Sequence, residues 1–109
     1  MNTPIFSIIT STLNSEDYVE RCVQSVLGQS FQDVEHIIVD GASCDSTLDR
    51  LSLIDDSRLV VLSELDTGIY NAWNKGVDLA RGQWILFLGS DDFFSDLTAL
   101  QLIADQILI

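Results

Sequence analysis

The chain has 109 residues, 47% of them hydrophobic and 20% charged, with a formal net charge of −12 at pH 7. That composition supplies one packed core, with residues 1–109 as a single domain, and excludes a disordered chain. The acidity excludes direct binding to nucleic acid or to an anionic membrane surface, and an anionic ligand would need a cation as intermediary.

No apolar run approaches the roughly 18 residues that span a bilayer. The start, MNTPIFSIIT, lacks a basic signal-type region, so the expectation is a cytoplasmic protein, with a peripheral place at the inner membrane face as an option.

Ile5–Ser11 is an apolar, β-branched run and predicts a first strand. Ser15, Glu16 and Asp17 supply a cap and an acidic first turn for a helix carrying Val19, Cys22, Val23, Val26 and Leu27, stopped by Gly28. Cys22 falls on the apolar face of that helix, which favours a reduced, packed thiol over a disulfide with Cys44. Glu35–Asp40 (EHIIVD) predicts a second strand, and the polar loop GASCDST leads into a short helix with Leu48, Leu51 and Ile54.

Arg58–Ser63 predicts the third strand. Ile69, Trp73, Val77 and Ala80 set a helix over Ile69–Arg81, closed by Gly82. Gln83–Leu88 (QWILFL) predicts the fourth strand. After it, Ser95 or Asp96 caps a helix whose stripe is Leu97, Leu100, Ile103, Ala104, Ile107 and Leu108.

A strand–helix unit repeated four times predicts an α/β fold: a mainly parallel sheet with helices on both faces, its strands apolar enough to be buried on both sides. In such sheets ligands bind beyond the carboxyl ends of the strands. The residues there are Thr12 and Asn14, then Asp40, then Glu64 and Asp66, then Asp91 and Asp92. Acids close three of the four strands on one edge, which marks that edge as a candidate site.

Within DGASCDST, Gly41 permits a tight turn, and Ser43 or Asp45 can accept from the N–H groups of the next helix. Asp40 follows directly on a buried-type strand, where its carboxylate could accept hydrogen bonds from a ligand's N–H groups. Neither GxGxxG nor GxxxxGK[ST] occurs, and the single histidine, His36, sits in a strand, so a dinucleotide fingerprint, a P-loop, a His-based triad and a zinc cluster all lack support. Asp91 and Asp92 are either early helix carboxylates favoured by the dipole or the oxygen ligands of a hard cation, Mg²⁺ or Mn²⁺, with a phosphate completing the shell.

Taken together, the strand ending in TxN, then IIVDGASCDST, then SELDTGIYNAWNKGVDLARGQWILFLGSDDFF resembles the family 2 glycosyltransferases of GT-A fold, bacterial polysaccharide type, over nearly the whole chain. The resemblance implies the Rossmann-like N-terminal, nucleotide-sugar-binding half of such an enzyme, with strand order 3-2-1-4. The activity implied is inverting transfer of a sugar from a nucleotide-diphosphate donor, a UDP-sugar foremost, to a hydroxyl acceptor in cell-surface polysaccharide biosynthesis. Thr12, Asn14 and Asp40 would lie against the base; Asp66, Gly68, Asn74, Lys75 and Gly76 would line the base and diphosphate region. Asp91 and Asp92 would match the DxD-type motif that touches the ribose and holds divalent Mn or Mg against the diphosphate.

The chain departs from that pattern at Ser11 and Leu13, where the family often has Pro and Tyr, and at Gly89, where it has the first acid of DxD. Lys75 suits a helix-surface charge as well as a diphosphate contact. No catalytic residue is assigned: the general base and the site for a sugar or lipid-linked acceptor are expected beyond Ile109. The chain therefore reads as truncated, with Ile107, Leu108 and Ile109 expected to be exposed and to favour self-association. The alternative is a non-catalytic nucleotide- or Mg-binding α/β module. A receiver-like domain would carry acids on its first strand, which here ends in Ser11–Thr12.

Overall fold

The computed structural model describes residues 3–107. Four strands, β1 (Phe6–Thr12), β2 (Val34–Asp40), β3 (Leu59–Ser63) and β4 (Trp84–Phe87), alternate with four helices, α1 (Val19–Leu27), α2 (Thr47–Ser52), α3 (Ile69–Leu79) and α4 (Ala99–Ile107). All pairings are parallel and the order is β3-β2-β1-β4, as the resemblance implies. β1 pairs with both β2 and β4, so the chain reverses its direction of winding at β1.

Period-two alternation along the two central strands sends side chains to opposite faces. On one face Ile9, Ile37 and Val39 pack against Ala72 of α3. On the other, Val19 and Val23 of α1 meet Ile38 and Leu51, while Val26, Phe6 and Ile8 meet Leu100 and Ala104 of α4. Each fully buried isoleucine contributes roughly 1.5–3 kcal/mol relative to exposure. Gly76 sets the approach of α3: a Cβ there would lie 2.5 Å from Ile9 Cγ2.

Burial on both faces holds for β1 and β2 only. β3 and β4 are the sheet's edges, and Val61, Trp84, Ile85 and Phe87 stay substantially exposed. Two helix starts also differ from expectation. Ser15 opens a turn through its carbonyl, which accepts from Tyr18 and Val19 N–H, and α1 begins only at Val19. Asp96 folds over Thr98, accepting from its N–H and hydroxyl, so α4 starts at Ala99.

The expected exposure of Ile107 is corrected. α4 turns its stripe inward, and Ile103 and Ile107 pack against the Phe6–Val26–Leu100 cluster. Leu108 and Ile109, the rest of that expectation, lie outside the described residues. Beside β4, exposed Tyr70 and Phe87 flank half-buried Trp73 in a run of ring contacts at 5.6 and 4.7 Å between centroids.

Among the described residues no helix is long and apolar enough to cross a membrane. Cys22 is a buried free thiol, pushed up to about 11 chiefly by burial, with a lowering hydrogen bond from Thr10 and a smaller raising contribution from Asp92 and Asp91. His36 is fully buried; that burial lowers it to about 3, so it stays neutral, its Nε2 2.8 Å from Thr10 Oγ1 and its Nδ1 without a partner among the described residues.

Candidate functional site

Register brings three strand ends into one row. Thr12 faces Asp40 across β1 and β2, and Asp40 faces Ser63 across β2 and β3. Asp40 is fully buried and accepts four hydrogen bonds: Thr12 Oγ1 and Ser43 Oγ on Oδ1, both at 2.6 Å, and Ser43 N–H at 2.8 Å with Ser63 Oγ at 2.9 Å on Oδ2. Burial pushes its carboxyl up, but the donors of Ser43, Thr12 and Ser63 outweigh it and hold Asp40 below the ordinary carboxylate value. Its lone pairs are occupied by the protein, so Asp40 organises the loops above it. A ligand N–H reaches it only if Ser43 or Ser63 gives way.

Those loops are tied to one another. Asn14 takes a left-handed φ of 50°, donates its N–H to Ser43 Oγ at 2.9 Å and accepts from Cys44 N–H at 2.8 Å. Asp45 accepts from Thr47 N–H and from Glu16 N–H, joining the loop after β2 to the turn before α1. Across the sheet, Asp66 Oδ1 accepts from Gly68 N–H at 3.1 Å, and its other oxygen lies 3.0 Å from where a Gly41 Cβ would be. Gly41 therefore makes room for Asp66. Gly68, at φ 129°, holds a backbone geometry that only glycine adopts without strain, and α3 begins directly after it.

Between these loops lies an open cleft of about 280 Å³, lined by Ser11, Thr12, Leu13, Ser15, Asp66, Gly68, Ile69, Ala72 and Ser90. It sits at the carboxyl ends of β1 and β4, where the topology reverses, the position expected for a ligand in an open parallel sheet. Beside its Ser90 wall, the Asp92 N–H bonds to Gly89 carbonyl at 3.0 Å and closes a turn bearing two exposed carboxylates. Both fold back over Gly89: a Cβ at that position would lie 2.6 Å from Asp92 Oδ2 and 3.2 Å from Asp91 Oδ1. The absent side chain is the space into which the two acids converge.

Of the sequence-predicted residues, Thr12, Asp66 and Gly68 line the cleft, Asp40 lies beneath it, and Asn14 braces its rim. Asp91 and Asp92 follow Ser90 at its edge. Lys75 points elsewhere: its Nζ donates to Leu65 carbonyl at 2.8 Å and pairs with Glu64 at 3.1 Å, clamping the loop after β3. Asn74 is exposed on α3 outside the cleft, and Gly76 is a packing residue against Ile9.

Sequence reasoning did not select Ser90, Ile69, Ala72 or the hydroxyl of Ser63. Ile69 and Ala72 are apolar and carry no chemical signal, Ser90 is one hydroxyl among many, and the role of Ser63 depends on register. It also passed over Glu35, a buried carboxylate at the opposite end of the sheet, bonded to Ser7 Oγ at 2.6 Å and Arg81 N–H at 2.7 Å. There too burial raises the carboxyl and the bonds from Ser7 and Arg81 overcome it.

Asp91 and Asp92 offer a divalent ion two carboxylates. Among the described residues no third acid, histidine or cysteine joins them in a metal-sized group. Two converging carboxylates do fit a hard, six-coordinate ion of the Mg²⁺ type, which keeps open positions for phosphate oxygens and water.

Comparison with known proteins decides the family. The chain matches the family described as "Glycosyl transferase family 2" over residues 7–107. The chain belongs to glycosyl transferase family 2. This family 2 chain is 41% identical over 107 residues to the PGL/p-HBAD biosynthesis glycosyltransferase of Mycobacterium bovis, covering 95% of the chain and 42% of that relative. It is 44% identical over 92 residues to the putative teichuronic acid biosynthesis glycosyltransferase TuaG of Bacillus subtilis, covering 82% of the chain and 36% of TuaG.

Among solved structures, S. aureus TarS 1-349 in complex with UDP-GlcNAc superposes with a TM-score of 0.88 at 30% identity, over 94% of the chain and 31% of that structure. The mannosyltransferase PcManGT from Pyrobaculum calidifontis, in complex with GDP-Man and Mn²⁺, shares the fold with a TM-score of 0.81 at 21% identity, over 92% of the chain and 31% of its own. The family 2 chain thus spans less than half the length of these curated relatives and about a third of these structures.

Proposed function

We propose that this chain is the donor-binding portion of an inverting glycosyltransferase that moves a sugar from a nucleotide diphosphate to a hydroxyl acceptor in cell-surface polysaccharide synthesis. The observation that carries the reading is the cleft at the carboxyl ends of β1 and β4, rimmed by loops locked to Asp40, in a chain whose fold matches a structure solved with UDP-GlcNAc. A UDP-sugar is the donor favoured by that likeness. The acceptor in this reading is a sugar or a lipid-linked sugar, no general base is assigned within the chain, and the place of action is the cytoplasm or the inner membrane face.

In this reading the nucleoside enters between the loops after β1 and β3, over Thr12 and Gly68. Asp40 holds Ser43 and Thr12 in place and offers a carboxylate to a base N–H that displaces one of its hydroxyl donors. Asp91 and Asp92 would hold Mn²⁺ or Mg²⁺ against the diphosphate. That ion supplies a Lewis acid for the charge that builds on the leaving group. It also reconciles an anionic donor with a chain of net charge −12. Lys75, committed to Leu65 and Glu64, keeps the Asp66–Gly68 wall in place and does not itself approach the diphosphate.

Calorimetry with UDP and Mn²⁺ tests the reading. The chain is expected to bind UDP in a Mn²⁺-dependent way, and the Asp91→Asn, Asp92→Asn double variant to lose that dependence. Equal binding by the two proteins removes the metal assignment.

A further inference from the structure

We propose that Arg21 is a positioning residue for the Asp91–Asp92 pair, acting through the backbone of the acid turn and the ring of Phe93. The inference rests on the donor reading of that turn. Of five bases in the chain, Arg50, Arg58, Lys75 and Arg81 each pair with a carboxylate, at 2.9, 2.9, 3.1 and 3.2 Å. Arg21 alone has no carboxylate partner among the described residues, although it stands beside two acids. Its Nη2 donates to the carbonyl of Asp91 at 3.2 Å, and its guanidinium lies 4.2 Å from the Phe93 ring centre.

The neighbouring residues of α1 extend the same hold. Cys22 Sγ donates to Gly89 carbonyl at 3.6 Å, and Ser25 Oγ accepts from Phe94 N–H at 3.1 Å. Residues 21, 22 and 25 share one side of the helix, and each grips the backbone of residues 89–94. Farther along, buried Gln29 donates to Asp96 carbonyl at 2.7 Å and accepts from Leu100 N–H at 3.1 Å. The acid turn is thus laid along α1. Cys22 and Gln29 are buried anchors with a structural duty besides, whereas Arg21 and Phe93 are exposed, and Arg21 contacts the ring and the turn.

Two converging carboxylates repel one another, and a turn free to open would let them part. Arg21 fixes the carbonyl between them while Phe93, stacked beneath the guanidinium, stops the next residue from swinging away. The carboxylate oxygens themselves have no ion-pair partner among the described residues and are available to a cation. A salt bridge to either acid would have competed with the metal; a bond to the carbonyl does not.

The test uses two variants that keep the charge at position 21: Arg21→Lys, which loses the flat stacking and the forked donor, and Phe93→Leu, which removes the ring. Mn²⁺ uptake by the 109-residue chain with UDP is read from the electron paramagnetic resonance of free Mn²⁺. Amide exchange over residues 89–94 is followed in parallel. Each variant should weaken Mn²⁺ uptake about threefold to tenfold, with the double variant no worse than the weaker single, since both break one contact. Exchange should quicken over residues 89–94 and stay unchanged in β1 and β2.

Binding equal to the unaltered chain in both variants overturns the proposal while leaving the donor reading intact. Loss of protection throughout the sheet also overturns it, by making the contact a matter of global stability. Failure of the unaltered chain to take up Mn²⁺ with UDP overturns the donor reading itself, and the inference with it.

Discussion

Replacing Asp40 by asparagine and by alanine separates its charge from its shape. In the structure Oδ2 receives one donor that cannot reverse, the Ser43 N–H, together with the Ser63 hydroxyl, while Oδ1 receives only the hydroxyls of Thr12 and Ser43. An asparagine can place its oxygen at the Oδ2 position and its amide nitrogen toward the two hydroxyls, which rotate to accept. All four contacts then survive without ionic reinforcement. Hydrogen bonds to a charged group contribute about 1.5–3 kcal/mol and neutral ones about 0.5–1.5 kcal/mol, while the desolvation cost of a buried carboxylate disappears. Asp40→Asn should therefore cost about 1–2 kcal/mol.

Asp40→Ala strands the Ser43 N–H and leaves a buried gap, so about 3–5 kcal/mol is expected, a large share of the total stability of a small domain. Urea unfolding followed by the fluorescence of Trp73 and Trp84 measures both variants. The same carboxylate sets a pH dependence. Its folded value is below the ordinary 3.8, so its contribution is complete above the unfolded value and is lost as pH falls through the depressed folded one. Asp40→Asn should flatten that acid limb of the stability curve. Equal losses from asparagine and alanine, or an unchanged acid limb, would refute the four-donor account.

Substitutions at two glycines probe the site further. Gly89→Ala should leave the unfolding midpoint nearly unchanged, because the exposed carboxylates can turn to water. It should weaken Mn²⁺ uptake in the presence of UDP severalfold by occupying the space over which Asp91 and Asp92 meet; unaltered uptake argues against that convergence. Gly68→Ala should cost about 1–3 kcal/mol from backbone strain at φ 129°, and Gly68→Ser the same, since nothing lies within 4 Å of a Cβ there. Thermal unfolding checks both, and a marked difference between alanine and serine would point to a steric cause instead.

Much of the fold was legible because it is local. Continuous apolar runs rich in β-branched residues marked β1 and β2, the spacing of Val19, Cys22, Val23 and Val26 marked α1, and four strand–helix units implied a parallel sheet. The ends of helices were less legible. Ser15 and Asp96 carry the right chemistry for caps, yet they shape the turns that precede α1 and α4.

Local pattern sets the alternation of elements and the edge of the sheet where polar groups collect, and the order of the motifs carries the family. What each polar group there does depends on packing between distant segments. Asp40 looked available to a ligand, but register with Thr12 and Ser63, 28 and 23 residues away, surrounds it with donors. Lys75 looked free and is held by Leu65 and Glu64. Arg21 carries no signal in the sequence, yet it grips a turn 70 residues later. The reason is physical: periodicity is felt within a few residues, whereas saturation of a carboxylate or the hold on a turn arises only when distant segments are packed together.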